Sequence, residues 1–155
     1  MIELAPADAA TDWSEVLDLL HRAFAVMEQR IDPPSSLHDM DATTLADMAG
    51  RGLCLLAEAD EVVLGCLFCQ IGDDALHLSK LAVDPDHQGQ GIARALIDLA
   101  EANARAVEIG AMQLQTRVEM DENHLTFARL GFEITGETSH PGYDRPTSLI
   151  MRKLQ

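Results

Sequence analysis

Apolar residues recur along this chain with two periods, and the change of period marks the elements. Residues 1 to 6 read as a short first strand. Thr11 or Asp12 can cap a helix that runs to about Gln29, with Val16, Leu17, Leu20, Phe24 and Met27 on one face. With Asp12 as the cap, Glu15 stands where a capping box needs a carboxylate. Residues 30–42, RIDPPSSLHDMDA, break the pattern, because two prolines cannot continue a helix. Thr43 to Ala49 reads as a second helix, ended by Gly50 or Gly52. Gly52 to Ala59 and Val62 to Ile71 read as strands, joined through Asp60-Glu61 as a hairpin. After the turn Gly72-Asp73-Asp74, the residues Leu76, Leu78, Leu81 and Val83 give a further strand its apolar content. Asp84-Pro85 ends it, since proline brings no ladder donor. A helix follows with the stripe Ile92, Ala95, Leu96, Leu99, Ala102 and Ala106. The chain closes with a strand (Met112 to Val118), a short helix ending in Arg129-Leu130-Gly131-Phe132, and two strand-like runs around His140 to Pro146.

Early hairpin strands followed by a strand–helix–strand unit imply an α/β (α+β) arrangement, a mixed sheet flanked by helices. No repeat, linker or low-complexity segment interrupts residues 1–155, so one domain is expected. Apolar content of 47% suits a packed core, and no run approaches the roughly 20 apolar residues of a membrane span. Met1-Ile2-Glu3-Leu4 shows no basic segment leading into an apolar one, so a cytoplasmic protein without membrane partners is expected.

The net charge of −15 argues against nucleic acid as a partner, which would need clustered Lys and Arg. It permits a cationic small molecule or peptide, and it also serves solubility. Cys54, Cys66 and Cys69 are an odd number and suggest no disulfide framework. Cys66 and Cys69 spell C-x-x-C, but inside a strand residues three apart point to opposite faces. The six histidines (21, 38, 77, 87, 124, 140) show no metal-ligand spacing, and no metal is expected.

The candidate chemistry lies at Gln88-Gly89-Gln90-Gly91, where the long helix opens. First-turn N–H groups have no intrahelical acceptor and sit at the positive end of the helix dipole. With no Cβ at 89 and 91, a phosphate can approach that backbone closely. The Rossmann fingerprint fails, because Arg94 stands in place of its third glycine, and no Gly-Lys-Ser/Thr follows to make a Walker loop.

Val83-Asp84-Pro85 followed by Gln88, Gly91 and Ala93 resembles the acetyl-CoA signature V-x-P-x-x-[Q/R]-x-x-G-x-[G/A] of the GNAT superfamily of N-acetyltransferases. The order of elements after the motif is similar to that superfamily's C-terminal half. The resemblance implies a GNAT fold, a mostly antiparallel mixed sheet of about seven strands flanked by helices and splayed at the cofactor site. It implies acetyl-CoA (coenzyme A) as cofactor. Leu81, Ala82 and Val83 would pair with the pantetheine arm through their main chain, and the Val83 amide would stabilise the oxyanion. Gln88, Gly89, Gln90, Gly91, Ile92, Ala93 and Arg94 would hold the pyrophosphate.

Asn123 and Phe127, four residues before Gly131-Phe132, are similar to a family pattern of Asn and Tyr. The Asn commonly bonds the pantetheine arm. The Tyr is the usual acid for the departing thiolate, and Phe127 has no proton to give. Tyr143 is the only tyrosine and a candidate replacement. It lies in a loop with His140, Asp144 and Arg145, expected at the acceptor end of the cleft. His140 has a suitable intrinsic pKa for a general base, with His77 or ordered water as alternatives. Ser79 and Lys80 stand at strand positions where some relatives carry a carboxylate. The broken segment is similar to a lid over the acceptor, which makes Arg30, Pro34, Ser35 and Ser36 candidates there. The expected function is transfer of an acetyl group to a primary amine of a small molecule or peptide, directly within a ternary complex. The alternative is a catalytically weak acyl-CoA-binding or sensing domain. Homodimers are common among relatives.

Overall fold

The computed structural model describes residues 1–155. Seven strands form one sheet: β1 (Glu3–Pro6), β2 (Leu53–Ala59), β3 (Val62–Ile71), β4 (Leu76–Val83), β5 (Ala111–Arg117), β6 (Glu133–Thr138) and β7 (Ser148–Leu154), in the order β1-β2-β3-β4-β5-β7-β6. Four helices flank it: α1 (Trp13–Phe24), α2 (Ala42–Arg51), α3 (Ile92–Ala106) and α4 (Asp121–Arg129). Only β4 and β5 run parallel; every other neighbouring pair is antiparallel. The expected mixed sheet, and its strand count, are what the chain forms.

Alternation along the strands builds two cores. Leu55, Ala57, Leu67 and Cys69 face α3, where Leu96, Ile97 and Ala100 cover them together with Met112, Phe132 and Met151. Cys54, Leu56, Cys66 and Phe68 face the other way, under Val16, Leu19 and Leu20 of α1 and Leu45 of α2. Each fully buried leucine is worth roughly 1.5–3 kcal/mol by transfer. Cys66 and Cys69 therefore lie on opposite faces, as expected, and all three cysteines are free and buried. Burial pushes the Cys66 and Cys69 thiols up to about 12 and the Cys54 thiol higher still, so none is a nucleophile at neutral pH.

Asp12 caps α1, its carboxylate accepting from the amides of Ser14 (3.0 Å) and Glu15 (3.3 Å). Glu15 does not close a capping box. Its carboxylate accepts from the Val63 amide at 2.9 Å and ties the helix to β3. The α-helix ends at Phe24, earlier than the expected Gln29, and residues 25–27 tighten into a 3-10 turn. Val26 is 68% exposed there, so no burial holds that turn in α geometry.

The feature that makes room for a site lies between β4 and β5. They pair only at Leu76↔Met112, His77↔Gln113 and Leu78↔Leu114. Beyond that, β5 follows β7 as far as Arg117↔Ser148, while β4 stays with β3. A bulge helps β4 leave: Phe68 faces Ser79 and Cys66 faces Ala82, so Lys80 and Leu81 together oppose Leu67. Lys80 takes the left-handed conformation this requires, with φ +52°. Gly65 seats the start of α3 against β3, since a Cβ there would come within 2.8 Å of Ile92 Cγ2.

Candidate active site

The turn between β4 and α3 is built by Asp84. One carboxylate oxygen accepts from the Asp86 amide (2.9 Å), and the other from Arg22 of α1 (2.8 Å). The Asp84 side chain is only 10% exposed, and the Arg22 guanidinium holds its carboxyl below the ordinary carboxylate range. Gly89 (φ +79°) and Gly91 (φ +82°) then turn the chain into the helix through conformations that favour glycine. Gly91 is the N-cap and offers no side-chain acceptor. None of the amides of residues 88–91 donates to another backbone group. A Cβ built on Gly89 or Gly91 would meet nothing within 4 Å. The result is an open cradle of unpartnered N–H groups at the positive end of a 15-residue helix, with the chemistry of a phosphate site.

The exposed edge of β4 continues this site. The Asp84 amide donates to Leu64 of β3 at 2.7 Å. Backbone groups alternate in direction along an antiparallel strand. The Val83 amide therefore points away from β3, to the side where β5 has already diverged. A strand edge with no partner beside an anion cradle fits a long ligand with a pyrophosphate at one end and amide groups along its arm, as in coenzyme A.

Three cavities run from this point through the sheet. The first, about 510 Å³, is lined by Leu81, Ala82, Val83, Gln88, Gly89, Gly91, Ile92, Ala93, Arg94, Asn123 and Phe127, among others. Of the residues expected at the cofactor, only Gln90 lies outside that lining. The second, about 280 Å³, occupies the gap between β4 and β5 and shares Phe24, Met27, Leu81, Asn123 and Phe127 with the first. The third, about 740 Å³, opens beyond it and shares Ser35, Ser36, Arg117 and His140. Phe127 stands at the first junction, edge-on to Phe132 with ring centroids 6.0 Å apart, and carries no titratable group.

Over the third cavity, residues 30–34 are bound to the loop 140–146. The Tyr143 hydroxyl donates to Asp32 at 2.6 Å, and Arg145 donates to the Asp32 carbonyl (2.8 Å) and carboxylate (3.3 Å). Arg117 at the end of β5 donates to the carbonyls of Pro33 (2.7 Å) and Pro34 (3.2 Å). Asp32 raises the Tyr143 pKa, so this hydroxyl keeps its proton and its partner. Tyr143 lines the outer cavity only, as does Pro34. Asp144 is exposed and Arg145 is spent on Asp32, so neither lines any of the three cavities. Arg30 faces the first cavity, not the acceptor side, and is paired with Glu122 at 2.8 Å. Ser35 and Ser36 line both the second and third cavities. His77 is exposed beside Gly72, away from all three.

His140 does reach the second cavity. Its backbone amide donates to the Thr147 hydroxyl at 2.9 Å, and its Nδ1 lies 2.5 Å from the same oxygen. The Thr147 hydroxyl also lies 3.4 Å from the Thr138 carbonyl, and the tautomer of His140 follows from which of these two acceptors the hydroxyl donates to. With the proton on Nδ1, Nε2 holds the lone pair. Burial, and then the charge of Arg117, hold the imidazole pKa below its ordinary value. Thr147 and Arg117 carry no motif, and only the folded chain brings them to His140. Lys80 was legible only as the absence of a carboxylate.

An unpaired sheet edge and an anion cradle, with a second cavity that shares their wall, suit an acyl-CoA-dependent transferase. The Acetyltransferase (GNAT) family model matches residues 13–132, and the chain belongs to that family, whose members use acetyl-CoA as acetyl donor. The IAA acetyltransferase of Azospirillum brasilense is 31% identical over 123 residues, which is 78% of each chain. Human N-acetyltransferase 8B is 32% identical over 108 residues, covering 64% of this chain and 47% of that protein. Among solved structures, the PaiA N-acetyltransferase of Thermoplasma acidophilum in complex with coenzyme A superposes with a TM-score of 0.85. It is 17% identical and covers 100% of this chain and 99% of its own. No helix is long and apolar enough to cross a membrane.

Proposed function

We propose that this chain transfers the acetyl group of acetyl-CoA to a primary amine of a small molecule or peptide, directly, with both bound at once. The observation that carries this reading is the junction at Leu81, Asn123 and Phe127, which both the cofactor-side and acceptor-side cavities share. Two ligands entering from opposite sides meet there without an intermediate carrier. No cysteine lines either cavity, which supports direct transfer over a covalent acyl-enzyme.

Bound acetyl-CoA supplies an activated acetyl thioester. The amides of residues 88–94 and the Arg94 guanidinium would hold its pyrophosphate, and Leu81, Val83 and Asn123 its arm. The Val83 amide would polarise the acetyl carbonyl. His140 Nε2 would take a proton from the amine as the C–N bond forms, the C–S bond would then break with coenzyme A leaving as its thiolate, and general-base help of this kind is worth roughly 10²–10⁴-fold. Tyr143 acts in this reading by holding Asp32 and the loop 30–34 in place. Phe127 favours a second reading, an acyl-CoA sensor with little turnover.

Calorimetric titration with acetyl-CoA, followed by an amine panel read by thiol release, separates the two. Binding with release supports the transferase, whereas binding without release from any amine supports the sensor. A burst of acetylated protein before any amine is added would overturn direct transfer.

A further inference from the structure

The protein carries 11 lysines and arginines against 26 acids, so nearly every cation can find a carboxylate. Six do: Arg22, Arg30, Arg105, Arg145, Arg152 and Lys153. The other five of the 11 are Arg51, Lys80, Arg94, Arg117 and Arg129, and three of these line the clefts. Arg94 belongs to the pyrophosphate cradle. Lys80 and Arg117 line the second cavity, from β4 and β5, the two strands that diverge around it.

That cavity contains no Asp or Glu at all. Arg117 is tied only to the neutral carbonyls of Pro33 and Pro34, which occupy two of its five N–H donors. The Lys80 side chain makes no hydrogen bond or ion pair, and this half-buried residue at the bulge lines the gap. Burial pulls Lys80, Arg117 and His140 all below their ordinary pKa values; Glu119, and for Arg117 also Asp32, offsets part of that effect, whereas no carboxylate acts on Lys80. In a chain of net charge −15, an unpaired Lys80 beside Arg117 in a cavity lined by no carboxylate has the chemistry of an anion site. The Debye length is about 8 Å at physiological salt, so this local pair outweighs the distant acidic surface.

We propose that the acceptor is an amine that also bears a carboxylate, an amino-acid-like molecule whose carboxylate is received by Lys80 and Arg117. This is the opposite sign to the cationic acceptor that net charge suggests. The amine part rests on the transferase reading; the carboxylate part does not.

The test uses reaction products, whose binding needs no turnover. N-acetyl-glycine, N-acetyl-alanine, N-acetyl-glutamate and N-acetyl-phenylalanine, each beside its carboxamide, are titrated calorimetrically into the full chain saturated with coenzyme A. At least one acid is expected to bind about tenfold to hundredfold more tightly than its amide. Lys80→Met should bring that ratio to within about twofold, and Lys80→Arg should keep it. Equal binding of acid and amide, no binding by any acid, or a Lys80→Met variant that weakens both alike would each overturn the proposal. Thiol release with free amines is read in parallel. Carboxylate-selective binding with no release from any amine would overturn the transferase reading and leave the anion site standing. Release only with carboxyl-free amines would do the reverse.

Discussion

At the scale of single residues, the chemistry rests on side chains whose protonation is set by their neighbours. His140 is held by Thr147 through Nδ1 and is depressed in pKa by burial and by Arg117. A base works in its neutral form, so the depressed pKa suits His140 to the proposed role at neutral pH. The rate should fall only as pH drops through a value below the ordinary histidine pKa of about 6.5. We expect His140→Gln to lower kcat/KM by roughly 10²–10⁴-fold and to abolish that acid limb in the pH profile. Arg117→Gln should move the limb to higher pH, since it removes a positive neighbour. The sequence showed His140 and the missing hydroxyl at Phe127, but not Thr147. Nothing in residue type or spacing predicts that position 147 is fully buried beneath the imidazole.

At the scale of elements, the turn from β4 into α3 is the most legible part of the chain, because its function depends on backbone. Small residues, positive φ and an uncapped helix start are local properties, and local properties are written in local sequence. Ala93→Glu separates folding from binding here. A carboxylate in the first turn suits the helix dipole, worth roughly 0.3–1 kcal/mol. We therefore expect an unchanged or slightly raised melting temperature together with loss of acetyl-CoA binding by calorimetry. The Arg22–Asp84 contact ties the same turn to α1 across 62 positions of sequence. Asp84→Ala should cost about 1–2 kcal/mol at neutral pH and weaken acetyl-CoA binding; the Arg22 side chain is 42% exposed, which keeps the cost below that of a fully buried pair. Asp84 has a lowered pKa when folded, so its contribution is complete above the ordinary carboxyl range and is lost as pH falls through the lower folded value. Urea unfolding of both chains should therefore show a stability gap that is full at neutral pH and closes in strong acid.

At the scale of the whole molecule, the proposed acceptor end is assembled from the segment 30–34, the end of β5 and the loop 140–146. Asp32 joins the first and the last of these. Asp32→Ala should raise the acceptor KM several-fold, leave acetyl-CoA affinity within about twofold, and cost under about 1 kcal/mol, because the contact is exposed. Steady-state kinetics with a binding isotherm for acetyl-CoA would check all three; a matching loss of cofactor affinity would place Asp32 elsewhere in the mechanism. The amino-acid sequence by itself determined the order of elements, the two-faced strands, the glycine turn and the likeness to the GNAT superfamily. Each of those follows from periodicity or from residues adjacent in the chain. Tertiary structure alone decided where β4 leaves β5, which of the loop residues 140–145 reaches the second cavity, and the sign of charge that lines it. Lys80, Arg117 and His140 are 37 and 23 positions apart in turn, and net charge sums over the surface while a cavity is sensed only by its own walls. An acidic chain can therefore enclose a basic pocket, and only the fold puts the two cations on facing strands.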